Sequence, residues 1–250
     1  MAKILAFANQ KGGVGKTTTC VNLCAALTQK GLRVLLVDCD PQGNATSGMG
    51  VKKNRSPNIY DMLIHDVPSE RCVVTTSFGD VIPSGRDFAA ATVELISRPG
   101  RERILYTALQ RLYTEYDYIF LDCPPSLELI TVNALAAADS VLIPMQCEYY
   151  ALEGLSKLLE SMKMVKGRLN TGIEVFGVVM TMYDVRTSLS KQVVEEVRSY
   201  FKEKAFETVI PRNVKLSEAP SHGLPVSLYA PTSKGALAYA TLAQEVVDRG

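Results

Sequence analysis

The chain has 250 residues, and its 27 basic against 26 acidic side chains leave a formal charge of only +1. Binding of nucleic acid by a histone-like surface or a polybasic tail is excluded, because no block of like charge exists to supply it. Hydrophobic residues make up 47% and charged residues 21%, the balance of a globular chain and not of a disordered one, and the length suits one large α/β domain.

Short apolar runs alternate with helix-length amphipathic segments, the pattern of a mostly parallel, twisted sheet covered by helices on both faces. Strands are predicted over 3–8, 33–37, 80–83, 118–121, 140–144 and 174–180. Helices are predicted over 17–29, 101–115, 127–137, 152–166 and 188–202, with a last one over 234–247 closing the domain. The stretch 43–57 carries Gly43, Gly48, Gly50 and Pro57 and reads as a long functional loop. The six cysteines include no CxxC pair and the two histidines, His65 and His222, lie far apart, so neither a zinc site nor a disulfide framework is expected. The apolar run at 4–8 is too short for an export signal, and no stretch approaches a spanning helix. A reduced, soluble, cytoplasmic protein is the expectation.

The first predicted strand leads into Asn9-Gln10-Lys11-Gly12-Gly13-Val14-Gly15-Lys16-Thr17-Thr18-Thr19 and then directly into a helix. Strand, Gly-rich loop and helix stand in the order that a phosphate cradle requires. Gly12, Gly13 and Gly15, flanking Val14, let successive N–H groups face inward, and the helix N-terminus adds its positive end. Lys16 would reach the β- and γ-phosphates of ATP, the Thr17 hydroxyl would ligate Mg²⁺, and Thr18 is placed to touch the α-phosphate. The ordinary form of this loop begins with Gly, where this chain has Gln10, and a second lysine, Lys11, stands at the front of K-G-G-x-G-K-T. A ligand-free Gly-rich turn is the competing reading.

The second strand ends in Asp38-Cys39-Asp40-Pro41-Gln42-Gly43, two acids on one side at the carboxyl end of a strand, where ligands of open α/β sheets gather. Capping acids in a turn are the competing reading. The strand at 118–121 runs into Asp122, followed by Cys123-Pro124-Pro125-Ser126, and an acid so placed suits Mg²⁺ held through water. Lys52, Lys53 and Arg55 form the densest cationic cluster, in the loop after Asp40.

At the phosphate loop the sequence resembles the deviant Walker A ATPases, which include the ParA/Soj partition proteins, MinD and the nitrogenase iron protein. The resemblance spans nearly the whole chain, from Lys3 to about Leu242, and implies a P-loop fold and ATPase activity. It implies that Lys11 crosses an ATP-bound sandwich homodimer to the facing subunit's phosphates. By the same resemblance Asp40 positions the attacking water and Asp38 supports the magnesium shell. Glu148, in Cys147-Glu148-Tyr149-Tyr150-Ala151-Leu152-Glu153-Gly154, would meet the partner's nucleotide, against a plain capping role, and Pro211 and Asn213 would frame the adenine.

Within this superfamily the run Pro211-Arg212-Asn213-Val214-Lys215-Leu216-Ser217-Glu218-Ala219-Pro220-Ser221-His222-Gly223 resembles a string typical of chromosomal ParA/Soj proteins. That likeness implies non-specific DNA binding through Arg186 and Lys215, association with the nucleoid, stimulation by a ParB/Spo0J-like protein and a link to a replication initiator. No iron-cluster loop follows Cys123. The last helix has only Lys234 and Arg249 as cations, so no membrane partner is expected. A MinD-like septum-positioning ATPase, a P-loop metabolic ligase and an ATP-holding scaffold are the alternatives.

Overall fold

A computed structural model describes residues 1–148 and 151–250, with side chains at all of these except 151–154. The strands are β1 (Lys3–Phe7), β2 (Val34–Asp38), β3 (Val74–Thr76), β4 (Gly79–Ile82), β5 (Tyr118–Asp122), β6 (Ser140–Gln146), β7 (Glu174–Tyr183) and β8 (Ala205–Pro211). They form one sheet in the order β3-β4-β2-β5-β1-β6-β7-β8, parallel throughout except for the β3–β4 edge pair. Between β1 and β2 runs α1 (Lys16–Gln29), and β2 leads into α2 (Asn44–Gly48), α3 (Ile59–Ile64) and α4 (Ser69–Cys72). After β4 come α5 (Ala91–Leu95) and α6 (Ile104–Leu109), then α7 (Leu129–Ala137), α8 (Ala151–Arg168) and α9 (Ser188–Phe201) between successive later strands. The chain ends with α10 (Val214–Glu218), α11 (Val226–Tyr229) and α12 (Lys234–Arg249).

Alternation along the strands builds two cores. Ile4 and Ala6 of β1 and Leu35 and Val37 of β2 join the buried residues of α3, α5, α6, α7, α8 and α9 on one face. Leu5, Phe7, Val34 and Leu36 join those of α1, α10, α11 and α12 on the other. Because both faces are covered, the strands are apolar at nearly every position. Truncating a fully buried side chain here, such as Leu23 or Leu36, costs about 2–5 kcal/mol.

From β1 the chain passes to β2 on one side, while β6, β7 and β8 extend the sheet on the other. The loop after β1 therefore opens where connections diverge, the place at which open α/β sheets hold ligands. In α12 the apolar residues Ala236, Tyr239, Leu242, Ala243 and Val246 are buried, and its Arg249 donates to the Ala205 carbonyl at 2.8 Å. This helix spends its apolar face on the core. Among the described residues no helix is long and apolar enough to cross a membrane.

The structure corrects several expected boundaries. The single helix expected over 101–115 is a 3₁₀ turn at Arg101–Arg103, then α6, then a second 3₁₀ turn at Gln110–Leu112. Asn133 of α7 donates to the Arg101 carbonyl at 2.7 Å and accepts from the Leu105 N–H at 3.2 Å, so a distant amide takes the groups that a regular first turn would use. The loop expected over 43–57 begins as α2, and helix 127–137 starts two residues later, at Leu129. Strands β3 and β8 were not anticipated. One is three residues long and the other ends in proline, so neither shows a clear apolar run.

Candidate active site

The loop between β1 and α1 is pinned at both ends before it meets any ligand. Asn9 is buried, donates through Nδ2 to the Pro144 carbonyl of β6 at 2.9 Å and accepts the Lys11 N–H at 3.0 Å. Thr181 of β7 donates through Oγ1 to the Val14 carbonyl at 2.7 Å. On either side of the Val14 pin, Gly13 and Gly15 take left-handed φ values of 75° and 87°, which a side chain would resist. The turn they make delivers the chain into α1 with its first N–H groups facing the loop, an arrangement suited to an anion. Gly12 and Gly13 border open space, since a Cβ at either would meet nothing within 4 Å.

Lys16 is 7% exposed and donates to the Lys11 carbonyl at 3.3 Å. Burial pulls its pKa below the usual lysine value, while Asp122 and Asp40 oppose that shift. Thr17 donates through Oγ1 to Asp122 Oδ2 at 2.8 Å. Asp122 is fully buried and its other oxygen, Oδ1, has no hydrogen-bond partner. Burial, with Asp38 as neighbour, drives the Asp122 pKa well above the ordinary carboxylate range.

Asp38 lies opposite Asp122 in the β2–β5 register. Burial pushes its pKa up to about 6, against the pull of its hydrogen bonds. Its Oδ2 accepts both the N–H and the hydroxyl of Thr46 at 2.7 Å, and its Oδ1 accepts the Asp40 N–H at 3.1 Å. The two buried acids thus differ: Asp38 is committed to the fold, and Asp122 keeps an oxygen in reserve. Asp40 is half-buried at the rim, and its Oδ1 accepts the Gln42 N–H at 2.9 Å.

An orphaned carboxylate oxygen beside a hydroxyl fits a hard divalent cation. Among the described residues no three His, Cys, Asp or Glu are grouped to hold a metal. An ion at Thr17 and Asp122 would therefore draw most of its ligands from water and phosphate, the habit of Mg²⁺.

Beyond the loop a cavity of about 500 Å³ is bordered by Gly15, Thr18, Met182, Pro211, Asn213 and Tyr239. Its size is that of a small-molecule site. The Asn213 side-chain oxygen accepts the Lys215 N–H at 2.8 Å and caps α10, which leaves its amide nitrogen as the donor for a base. A larger cavity of about 630 Å³, edged by Arg98, Arg103 and Arg111, includes no residue of the phosphate loop.

Lys11 is bound within its own chain: its Nζ lies 2.5 Å from Glu148 Oε2, and both side chains remain partly exposed. Tyr149 and Tyr150, the next residues of that segment, lie outside the described residues. Arg186 is exposed but forked onto Asp184, with its Nε at 2.9 Å and a terminal nitrogen at 2.7 Å. Lys215 pairs with Glu218 at 2.7 Å. The pinning roles of Asn9, Thr46 and Thr181 escape the sequence reading, because each depends on a partner brought by folding, 135, 8 and 167 positions away. Only Asn9, a polar residue at the exit of an apolar strand, carried a local signal.

The profile of a family described as an AAA domain matches residues 2–175. The sporulation initiation inhibitor protein Soj of Bacillus subtilis is 54% identical over 253 aligned residues, with 100% of both chains covered. The chromosome partitioning protein ParA of Myxococcus xanthus is 51% identical, covering 100% of this chain and 89% of its own. Among solved structures, cobyrinic acid a,c-diamide synthase from Mycobacterium smegmatis with bound ADP and magnesium superposes with a TM-score of 0.86 at 37% identity. That match covers 99% of this chain and 94% of the synthase.

Proposed function

This chain belongs to the ParA/Soj family of chromosome-partitioning ATPases, and from that premise we propose that it is an ATP-timed dimerisation switch for DNA segregation. The observation that carries the reading is the convergence of Lys16, Thr17 and the unpartnered Asp122 oxygen on the mouth of a loop built from left-handed glycines. The base would enter the cavity at Pro211 and Asn213, and the phosphates would lie along residues 12–18. Thr17 and Asp122 would hold Mg²⁺, which supplies positive charge to the phosphate oxygens when bound. Asp40, half-buried at the rim with its Oδ1 on the Gln42 N–H, orients the attacking water.

Lys11 completes the site from the facing subunit. Charge spreads over the γ-phosphate oxygens during transfer, and a cation placed there acts as an arginine finger does, an effect worth about 10³–10⁵ in rate. To cross, Lys11 must leave Glu148. Glu148 is then free to meet the partner's nucleotide, so one ion pair links nucleotide state to closure. The closed dimer pools two modest cationic surfaces, including Arg186 and Lys215, on DNA without sequence preference. Hydrolysis, accelerated by a ParB/Spo0J-like protein, separates the subunits and releases the DNA. Residence on the nucleoid follows from the same cycle, and a replication initiator is a further partner.

The test is Asp40→Ala with ATP, followed by oligomeric state and salt-dependent retention on random-sequence DNA. A stable DNA-bound dimer is expected, and a monomer without affinity for DNA sinks the switch. The likeness to the diamide synthase supports one other reading, a P-loop metabolic ligase that spends ATP on a small-molecule substrate. Turnover that needs such a substrate and ignores DNA would favour it.

A further inference from the structure

The cationic cluster at Lys52, Lys53 and Arg55 is left without a task by the switch, and its middle member is not free. Lys53 Nζ donates to the Gln42 carbonyl at 2.5 Å and to Asn44 Oδ1 at 3.3 Å. Its stem lies across Gly43, where a Cβ would stand 3.2 Å from both Lys53 Cγ and Cδ. The backbone of Lys53 is held as well: a methyl at Gly85 would collide with the Lys53 carbonyl. The residues under this strap form the Asp40 turn, closed by the Gly43 N–H on the Asp40 carbonyl at 2.9 Å and by the Gln42 N–H on Asp40 Oδ1 at 2.9 Å.

We propose that Lys53 is a positioning residue that straps the Gln42–Asn44 segment and thereby fixes the Asp40 carboxylate for attack on the nucleotide. This deepens the ATPase reading and rests on it. Asp40 is anchored on its β2 side through its N–H on Asp38, and beyond the turn the buried Thr46 of α2 is tied to the same Asp38, whereas Gln42 and Asn44 between these points are exposed. An ammonium bonded to a carbonyl is a charge-assisted contact, stronger than a neutral one. It holds the exposed stretch that lies between those two anchors. Lys53 does not line the cavity bordered by Gly15 and Asn213, so its effect reaches the reaction through Asp40.

Three variants test this: Lys53→Met, Lys53→Arg and Lys52→Met, the last removing the same charge one residue outside the strap. Steady-state ATP hydrolysis without DNA is expected to show kcat of Lys53→Met lowered roughly 10- to 100-fold, the loss typical of a misplaced catalytic group, with KM for ATP within about twofold. Lys53→Arg should recover most of it and Lys52→Met should match the parent. Amide hydrogen exchange at Gln42 and Gly43, measured without nucleotide, is expected to be faster in Lys53→Met and restored in Lys53→Arg. Unchanged kcat, or a raised KM with kcat intact, overturns the proposal. So does equal loss in Lys52→Met, which would mark a charge effect. Unchanged exchange removes the strap itself. A parent protein that never hydrolyses ATP, yet shows the exchange difference, overturns the ATPase reading and leaves the strap standing.

Discussion

Lys11 and Glu148, 137 positions apart, are joined by a 2.5 Å ion pair at the front of the phosphate loop. The loop thus keeps its front lysine on its own chain until something competes for it. Lys11→Ala is expected to bind ATP normally and to hydrolyse it at least about a hundredfold more slowly, the loss seen when one group that stabilises transition-state charge is removed. Phosphate release under single-turnover conditions measures this, and parental turnover removes the cross-dimer role of Lys11.

Glu148→Gln separates two uses of the same acid. If holding Lys11 in its own chain is the stronger, the variant dimerises with ATP at lower protein concentration. A pair this exposed is worth about 0.2–1 kcal/mol, or up to about fivefold in the association constant per subunit. Sedimentation over a concentration series reads the shift. Weaker dimerisation would show instead that the contact to the partner's nucleotide dominates.

Asp122 sets function against stability. Its pKa in the folded chain is raised above the unfolded value of about 3.9, so the fold holds the proton more tightly than the unfolded chain does. The stability from that proton is complete below about pH 4 and is lost as pH rises toward the folded pKa. Asp38, pushed up to about 6, adds to the decline in the same window. Asp122→Asn keeps the Thr17 hydrogen bond and removes the buried charge. Without nucleotide it should melt several degrees above the parent at pH 7, at about 2–4 °C per kcal/mol, with the difference closing toward pH 4. Its Mg²⁺-dependent turnover should be lost. A lower melting point at pH 7 would show that the acid carries no such burden.

Thr46 is the hinge between Asp38 and the neighbouring strand. Its hydroxyl donates to Asp38 Oδ2 and accepts the Ser84 N–H at 2.8 Å, and the whole residue is buried. Thr46→Val orphans the Ser84 N–H and leaves Asp38 Oδ2 with only the backbone N–H of residue 46, which costs about 1–3 kcal/mol. Urea unfolding should show a lower midpoint with an unchanged slope, and Thr46→Ser should recover most of the loss. A neutral Thr46→Val would mean that water replaces the hydroxyl.

What could be read in the chain and what could not divide along one physical line. The Gly-Lys-Thr string, the acids ending β2 and β5 and the alternation of apolar runs are local signals, because a strand end and a helix start confine their residues to one face. Thr17 and Asp122 are each expected beside Mg²⁺ on those grounds, and the structure joins them by a hydrogen bond that the sequence does not announce. That Asp38 is spent on Thr46, that Thr181 pins Val14 and that Asn133 breaks the expected helix at 101–115 depend on partners brought by folding, and no spacing announces them. The ion pair of Lys11 is of the same kind: the lysine announces its chemistry, and only the fold names its partner.

Arg186 and Lys215 pose the last question, because each is already paired with an acid. A cation forked onto Asp184 gives little to DNA unless the phosphate outcompetes the carboxylate. The exchange is favourable where many phosphates are offered, since each one neutralised releases counterions and adds about 0.9 to the salt slope on duplex DNA. Asp184→Asn should therefore tighten retention of the ATP-bound dimer on random-sequence DNA by freeing Arg186 at once. Arg186→Ala should weaken retention and flatten the slope of log K against log salt by about 1 per subunit. Both are read by titrating salt against DNA-coated sensors with the Asp40→Ala protein held in ATP. If Arg186→Ala leaves the slope unchanged, its bond to Asp184 is structural, and the DNA surface lies elsewhere on the dimer.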